Sequence, residues 1–138
     1  MKTQRVATWV ASIKDQPGGL AAKLKTLAAG GVNLEFIIAR RAPDKPGTGV
    51  VFITPVTGPK QTKAAKAAGF KPTNKLHTVR IEGGDRPGLG ARITQTLAGQ
   101  GLNLRGLSAA AIGKKFVCHI AVDSESAASK AVRILRGM

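Results

Sequence analysis

The sequence predicts an α+β protein made of two ferredoxin-like βαββαβ domains, each an antiparallel sheet with both helices on one face, the second copy lacking its own last strand. Three observations predict it. Displacing the 138-residue sequence on itself by seventy positions gives twelve identities between residues 8 and 39, among them Asp15 with Asp85, Pro17 with Pro87, Gly18 with Gly88, Gly31 with Gly101 and Asn33 with Asn103. Two copies of that length are two small domains of one fold, since a solenoid needs more and shorter repeats. Within each copy β-branched runs alternate with amphipathic helical stretches in the same order.

In the first copy Val6 to Ile13 is β-branched and aromatic and reads as a strand. Pro17-Gly18 then opens a helix, with Asp15 or Gln16 as its N-cap, because the missing N–H of proline costs nothing in the first turn. Leu20, Leu24 and Leu27 form its apolar stripe, and Gly30-Gly31 end it. Val32 to Arg41 reads as the second strand, Ala42 to Gly47 as a loop, Gly49 to Val56 as the third strand, and Gly58 to Gly69 as the second helix. Phe70 to Thr73 suffices for a short edge strand, where Pro72 is tolerated.

The second copy repeats this order. Leu76 to Glu82 is a strand, Pro87-Gly88 opens a helix with Leu89, Ile93 and Leu97 on one face, and Leu102 to Ala110 and Phe116 to Val122 are strands about a turn at Ile112 to Lys115. Asp123 or Ser124 caps a last helix whose Ala128, Ala131, Val132 and Leu135 share a face. No residues then remain for a fourth strand. An uncovered edge would leave N–H and C=O groups unpaired, so the slot is expected to be covered by the interdomain segment Phe70 to Lys75 or by a partner chain. The domains are expected at residues 1–74 and 75–138. Each buries only roughly 60% of its unfolded surface, so packing on the other copy or on a second chain is expected.

Composition narrows the functional classes. A single cysteine, Cys118, excludes an internal disulfide, and its neighbour His119 points to the opposite strand face, so no zinc site is formed. The short N-terminal apolar run cannot span a bilayer, and a cytoplasmic setting is expected. The formal charge of +15 is spread from Lys2 to Arg136, which reads as a solubilising surface, with nucleic acid or an acidic partner as the alternative.

A strand, Asp-x-Pro-Gly, a helix of about a dozen residues, and Gly-[Val/Leu]-Asn-Leu together resemble the ACT domain, a small-molecule regulatory module, here in tandem. The residues that carry the resemblance are Asp15, Pro17, Gly18, Leu20, Leu27 and Gly31 to Leu34, with Asp85, Pro87, Gly88, Leu97 and Gly101 to Leu104. The resemblance implies binding of an amino acid or related metabolite near the first strand-to-helix loop, at an interface between two such domains that pair side by side. It implies a homodimer, and a separate regulated enzyme as partner because no catalytic domain is attached.

The residues support that reading independently. A helix N-terminus offers unpaired N–H groups and the positive end of its dipole to a carboxylate. Gly18 and Gly88 would let a ligand approach the backbone. Asp15 or Asp85 could take an α-amino group, and Asn33 or Asn103 offers both donor and acceptor. The expected ligand-binding residues are therefore Asp15, Gln16, Pro17, Gly18, Asn33, Asp85, Arg86, Pro87, Gly88 and Asn103. Each is also ordinary turn chemistry taken singly; the duplication of the whole loop favours a site. Gln16 faces Arg86 and Glu35 faces Arg105 across the repeat, so the second copy is expected to prefer a more anionic ligand, or to bind where the first does not.

Catalysis finds no arrangement of residues to carry it. His77 and His119 lie in strands without a nucleophile placed beside them, no CxxC or phosphate-loop motif is present, and no catalytic residue, metal or cofactor is expected. The alternative function is a basic RNA-binding module, in which Trp9, Phe52 and Phe116 would stack bases, although paired aromatics are lacking.

Overall fold

The computed structural model describes residues 1–138. They form two compact units, a first of residues 7–73 and a second of residues 1–6 with 74–138. The strand expected at Val6 to Ile13 is β2 (Trp9–Lys14), and it is preceded by a strand the sequence did not suggest, β1 (Lys2–Val6), which belongs to the other unit. The expected division at 1–74 and 75–138 therefore differs in that residues 1–6, with Asn74, group with the second unit.

The first unit continues through α1 (Gly19–Ala29), β3 (Phe36–Arg41), β4 (Thr48–Thr54), α2 (Gly58–Ala67) and β5 (Lys71–Pro72). Its sheet has the order β3-β4-β2-β5, with neighbouring strands antiparallel throughout. Alternate residues of the central strands, Trp9 and Ala11 with Val51 and Ile53, face Leu27 of α1 and Ala65 and Ala68 around α2. The two helices approach so closely that a side chain at Gly30 would strike Ala64. Val32 to Glu35, read as strand, is a loop, and β3 starts only at Phe36.

The second unit runs β6 (His77–Gly84), α3 (Leu89–Gly99), β7 (Gly106–Ile112), β8 (Lys115–Val122) and α4 (Glu125–Arg136). The stripes Leu89, Ile93, Leu97 and Ala128, Ala131, Val132, Leu135 are all buried, against Val79, Ile81, Phe116, Cys118, Ile120 and Val122 of the sheet. Ser124 is the cap of α4: its Oγ accepts from the Ala127 N–H at 3.1 Å, satisfying one of the first-turn donors.

The sheet order is β1-β6-β8-β7. The slot beside β6 is covered by β1, in register from Lys2 opposite Glu82 to Val6 opposite Thr78, and not by the interdomain segment or by another chain. The interdomain residues Lys71–Pro72 instead pair with Val10 and Trp9 in the first unit. β1 is also tied to α4. Arg5 donates to both carboxylate oxygens of Glu125, at 2.6 and 3.0 Å, Thr3 Oγ1 donates to the Val132 carbonyl, and Arg136 donates to that of Thr3. The fork-like guanidinium fits this two-point contact better than a point charge would.

Two buried groups on β8 take no charge at neutral pH. Burial pushes the Cys118 thiol up to about 11, and it packs as a small hydrophobe. Burial, and secondarily the Arg80 charge, push His119 down to about 4. Trp9 and Phe116 are both core residues, which removes them as stacking platforms for bases.

Two outcomes are expected. Deleting residues 1–6 exposes the β6 edge, so calorimetry should show a lower melting midpoint and light scattering should show self-association; an unchanged monodisperse protein would contradict the role of β1. His119 takes its proton near its ordinary value of 6.5 when unfolded and only near 4 when folded, so protonation favours the unfolded chain. Stability should be complete above pH 6.5 and decline as pH falls toward 4, where the loss levels off. His119→Gln should remove this slope in urea titrations between pH 6.5 and 5, while Glu82 and Glu125, held below the usual carboxylate range by Arg80 and Arg5, preserve the loss at lower pH.

Candidate functional site: the duplicated strand-to-helix turns

Each copy of Asp-x-Pro-Gly forms the turn between a central strand and its helix. The caps are Gly18 and Gly88, at φ 83° and 82°, rather than Asp15 or Gln16, and neither helix has a side-chain cap. A Cβ at either glycine would meet nothing within 4 Å. The requirement for glycine is therefore the left-handed backbone itself, not a crowded approach.

The turn leaves donors unused. Gly19 N–H bonds to the Gln16 carbonyl and Ala22 N–H to that of Gly18, so the N–H groups of Leu20 and Ala21 between them have no backbone acceptor, as expected at a helix start without a cap. In the second copy Leu89 bonds to Arg86 and Arg92 to Gly88, leaving Gly90 and Ala91 in the same state. The turns are anchored from outside by Asp15 N–H to the Gly47 carbonyl and by Asp85 N–H to that of Lys114.

Asp15, Gln16, Pro17 and Gly18 are thus together at one end of the first unit, and Asp85, Arg86, Pro87 and Gly88 at the corresponding end of the second. Asn33 and Asn103 are not with them. Asn33 follows α1 at the other end of the sheet, where Glu35 N–H bonds to the Thr54 carbonyl, whereas Asp15 sits by Gly47. The seven residues of β4, about 20 Å at 3.3 Å each, lie between. Asn103 is placed likewise, near Arg105, whose N–H bonds to the far-end carbonyl of Ala121. Nor does Arg105 contribute charge to the turn: it pairs with Asp123 at 3.6 Å and donates to the Lys75 carbonyl. Of the expected contrast, Arg86 alone stands at the turn.

Asp15 is engaged by Arg41 Nε at 3.0 Å, a partner its own motif does not reveal. Beside this turn the first unit has an open groove of about 450 Å³ lined by Ser12, Ile13, Lys14, Gln16, Gly18, Gly19, Ala22, Lys23 and Thr48. It exists because β5 covers only Trp9 and Val10, leaving the rest of the β2 edge without a neighbour. Across the repeat Ile13 corresponds to Gly83. There β1 extends to Lys2 opposite Glu82, and the Met1 side chain lies over Gly83, its Cγ 3.1 Å from where a Cβ would be. The groove of one copy is open, and the equivalent position in the other is filled by the chain itself.

No protein-family model and no curated protein matches the sequence. Solved structures do match. Protein BT0572 from Bacteroides thetaiotaomicron shares 18% identity at a TM-score of 0.78, over 98% of this chain and 89% of that one. The ligand-free regulatory subunit of aspartate kinase from Thermus thermophilus shares 18% at a TM-score of 0.66, over 99% and 94%. The fold is the tandem ACT fold. Aspartate kinase from Clostridium acetobutylicum matches at 16% and 0.61, this chain covering 98% of itself and 33% of that enzyme. The tandem ACT fold thus occurs both as a separate subunit and as a third of a larger chain.

The positive φ makes a direct prediction. Gly18→Ala and Gly88→Ala should each cost about 1 kcal/mol in denaturant unfolding, despite having room for the methyl group. Costs near zero would mean that the turns relax out of the left-handed conformation.

Proposed function

We propose that this tandem ACT protein is a regulatory, non-catalytic binder of an amino acid or related small carboxylate, acting as a homodimer on a separate enzyme. The observation that carries the reading is the open groove at the first turn, lined by Gly18 and Gly19 at the start of α1, a helix whose N-terminus has no side-chain cap. Its volume lies within the range of small-molecule sites. The helix dipole and Lys14 favour a carboxylate there, with Gln16 as a neutral hydrogen-bonding neighbour. Asp15 would take an α-amino group only by exchanging it for Arg41.

The second turn is a structural counterpart rather than an equal site. Asp85, Arg86, Pro87 and Gly88 preserve the backbone device, but Met1 stands over Gly83 where the first copy is open. Asn33 and Asn103, at the opposite ends of their units, would touch such a ligand only if another domain brought them to it. That the solved regulatory subunit of an aspartate kinase has this fold supports a role in controlling an enzyme. Regulation further requires the ligand to bind two arrangements of the protein unequally, since equal binding shifts no equilibrium.

The test is a melting screen over the amino acids and small carboxylates. A ligand at about a hundred times its dissociation constant adds about 2.7 kcal/mol, a rise of roughly 5 to 10 °C for a chain of this size. Ala22→Trp fills the groove from an exposed helical position and should abolish the rise, whereas Gly90→Ala in the second copy should keep it. A screen without any rise, or a rise that survives Ala22→Trp, would refute the reading.

A further inference from the structure

The helices of the first unit concentrate positive charge. α1 and α2 carry five lysines, Lys23, Lys25, Lys60, Lys63 and Lys66, and no acidic residue. The three carboxylates of the first unit, Asp15, Glu35 and Asp44, all lie in loops, and Asp15 is held by Arg41. Lys23 is used internally, donating to the Ala68 carbonyl at 2.5 Å. Lys25, Lys60, Lys63 and Lys66 are exposed and none has a carboxylate partner. The last three recur every third residue on the outward face of α2, away from buried Ala65 and Ala68.

Stability does not explain this row. Like charges at such spacing oppose a helix, and Lys60 near the N-terminus is set against the dipole. The chemistry of the face also selects among anionic partners. The exposed large hydrophobics Ile37, Ile38, Leu107 and Ile112 are all on β3 and β7, so the helical face has no apolar anchor for a protein interface, where lysine is depleted, and none to enter a bilayer. It has no aromatic side chain on which a single strand could stack its bases. What it offers is ammonium groups alone, in a row about 9 Å long at 1.5 Å per residue, the length of about three phosphates along one strand of a duplex.

We propose that the helical face of the first unit, centred on Lys60, Lys63 and Lys66, binds the phosphate backbone of double-stranded nucleic acid without reading base sequence. Contacts of this kind position a protein and carry no sequence information. This surface is distinct from the groove, and the inference does not depend on the small-molecule reading.

The test uses the full chain, a labelled 20-base-pair DNA duplex and fluorescence anisotropy between about 50 and 200 mM NaCl. Four free lysines predict a log–log salt slope of about −3.6, at −0.9 per phosphate neutralised. Lys60→Gln, Lys63→Gln and Lys66→Gln together should reduce its magnitude by about 2.7, with the circular dichroism melting curve preserved. A control that removes the same charge elsewhere, Lys45→Gln, Lys114→Gln and Arg133→Gln, should leave the slope in place, and scrambling the duplex sequence should not alter affinity. The inference is overturned if no binding is seen at 50 mM salt, or if both triple variants weaken it equally, which would make net charge the cause. It is also overturned if polyglutamate or phosphatidylserine vesicles bind as tightly as the duplex, which would assign the face to an acidic protein or a membrane.

Discussion

The pairing of β1 with β6 is the constraint on which the rest of the second unit depends. A central strand with one bare edge presents a row of unsatisfied N–H and C=O groups and a template for aggregation. Five residues at the start of the chain close that edge, and Arg5, Thr3 and Arg136 then lock the strand onto α4. Only Ala7 and Thr8 separate β1 from β2, so the chain begins in one unit, crosses to build the whole of the other, and returns.

That route makes the duplication unequal. Both sheets have the same spatial order, with β5 and β1 in equivalent places, but one is two residues long and the other five. The short strand leaves a groove beside the first turn, and the long one brings Met1 over the second. Two turns with nearly the same backbone angles at Gly18 and Gly88 thus acquire different surroundings. The difference comes from a strand that is not part of either motif.

Much of the fold was legible in the sequence because it rests on local periodicity. The stripes Leu89, Ile93, Leu97 and Ala128, Ala131, Val132, Leu135 report helix faces directly, and the βαββ order follows from them and from the glycine-marked helix ends. The site was legible only in part. Asp15 to Gly18 do converge on a helix start, but Asn33 does not join them: closeness along a motif is not closeness in space, because an intervening helix carries the chain to the other end of the sheet. The cap is likewise not legible from residue type, because Asp15 favours a cap by type while the left-handed Gly18 supplies one by conformation.

The sequence by itself determined the duplication, the two cores, the helix starts and the fact that one strand slot had to be filled. These depend on residue type at short spacing. Only the tertiary structure decided what filled the slot, which of the two turns remained open, and that Arg41 holds Asp15. Strand pairing and side-chain bonds join residues far apart in the chain, as Lys14 opposite Thr48 and Thr3 bonded to Val132 illustrate on their respective units, and no local pattern records which distant segment satisfies a given backbone edge.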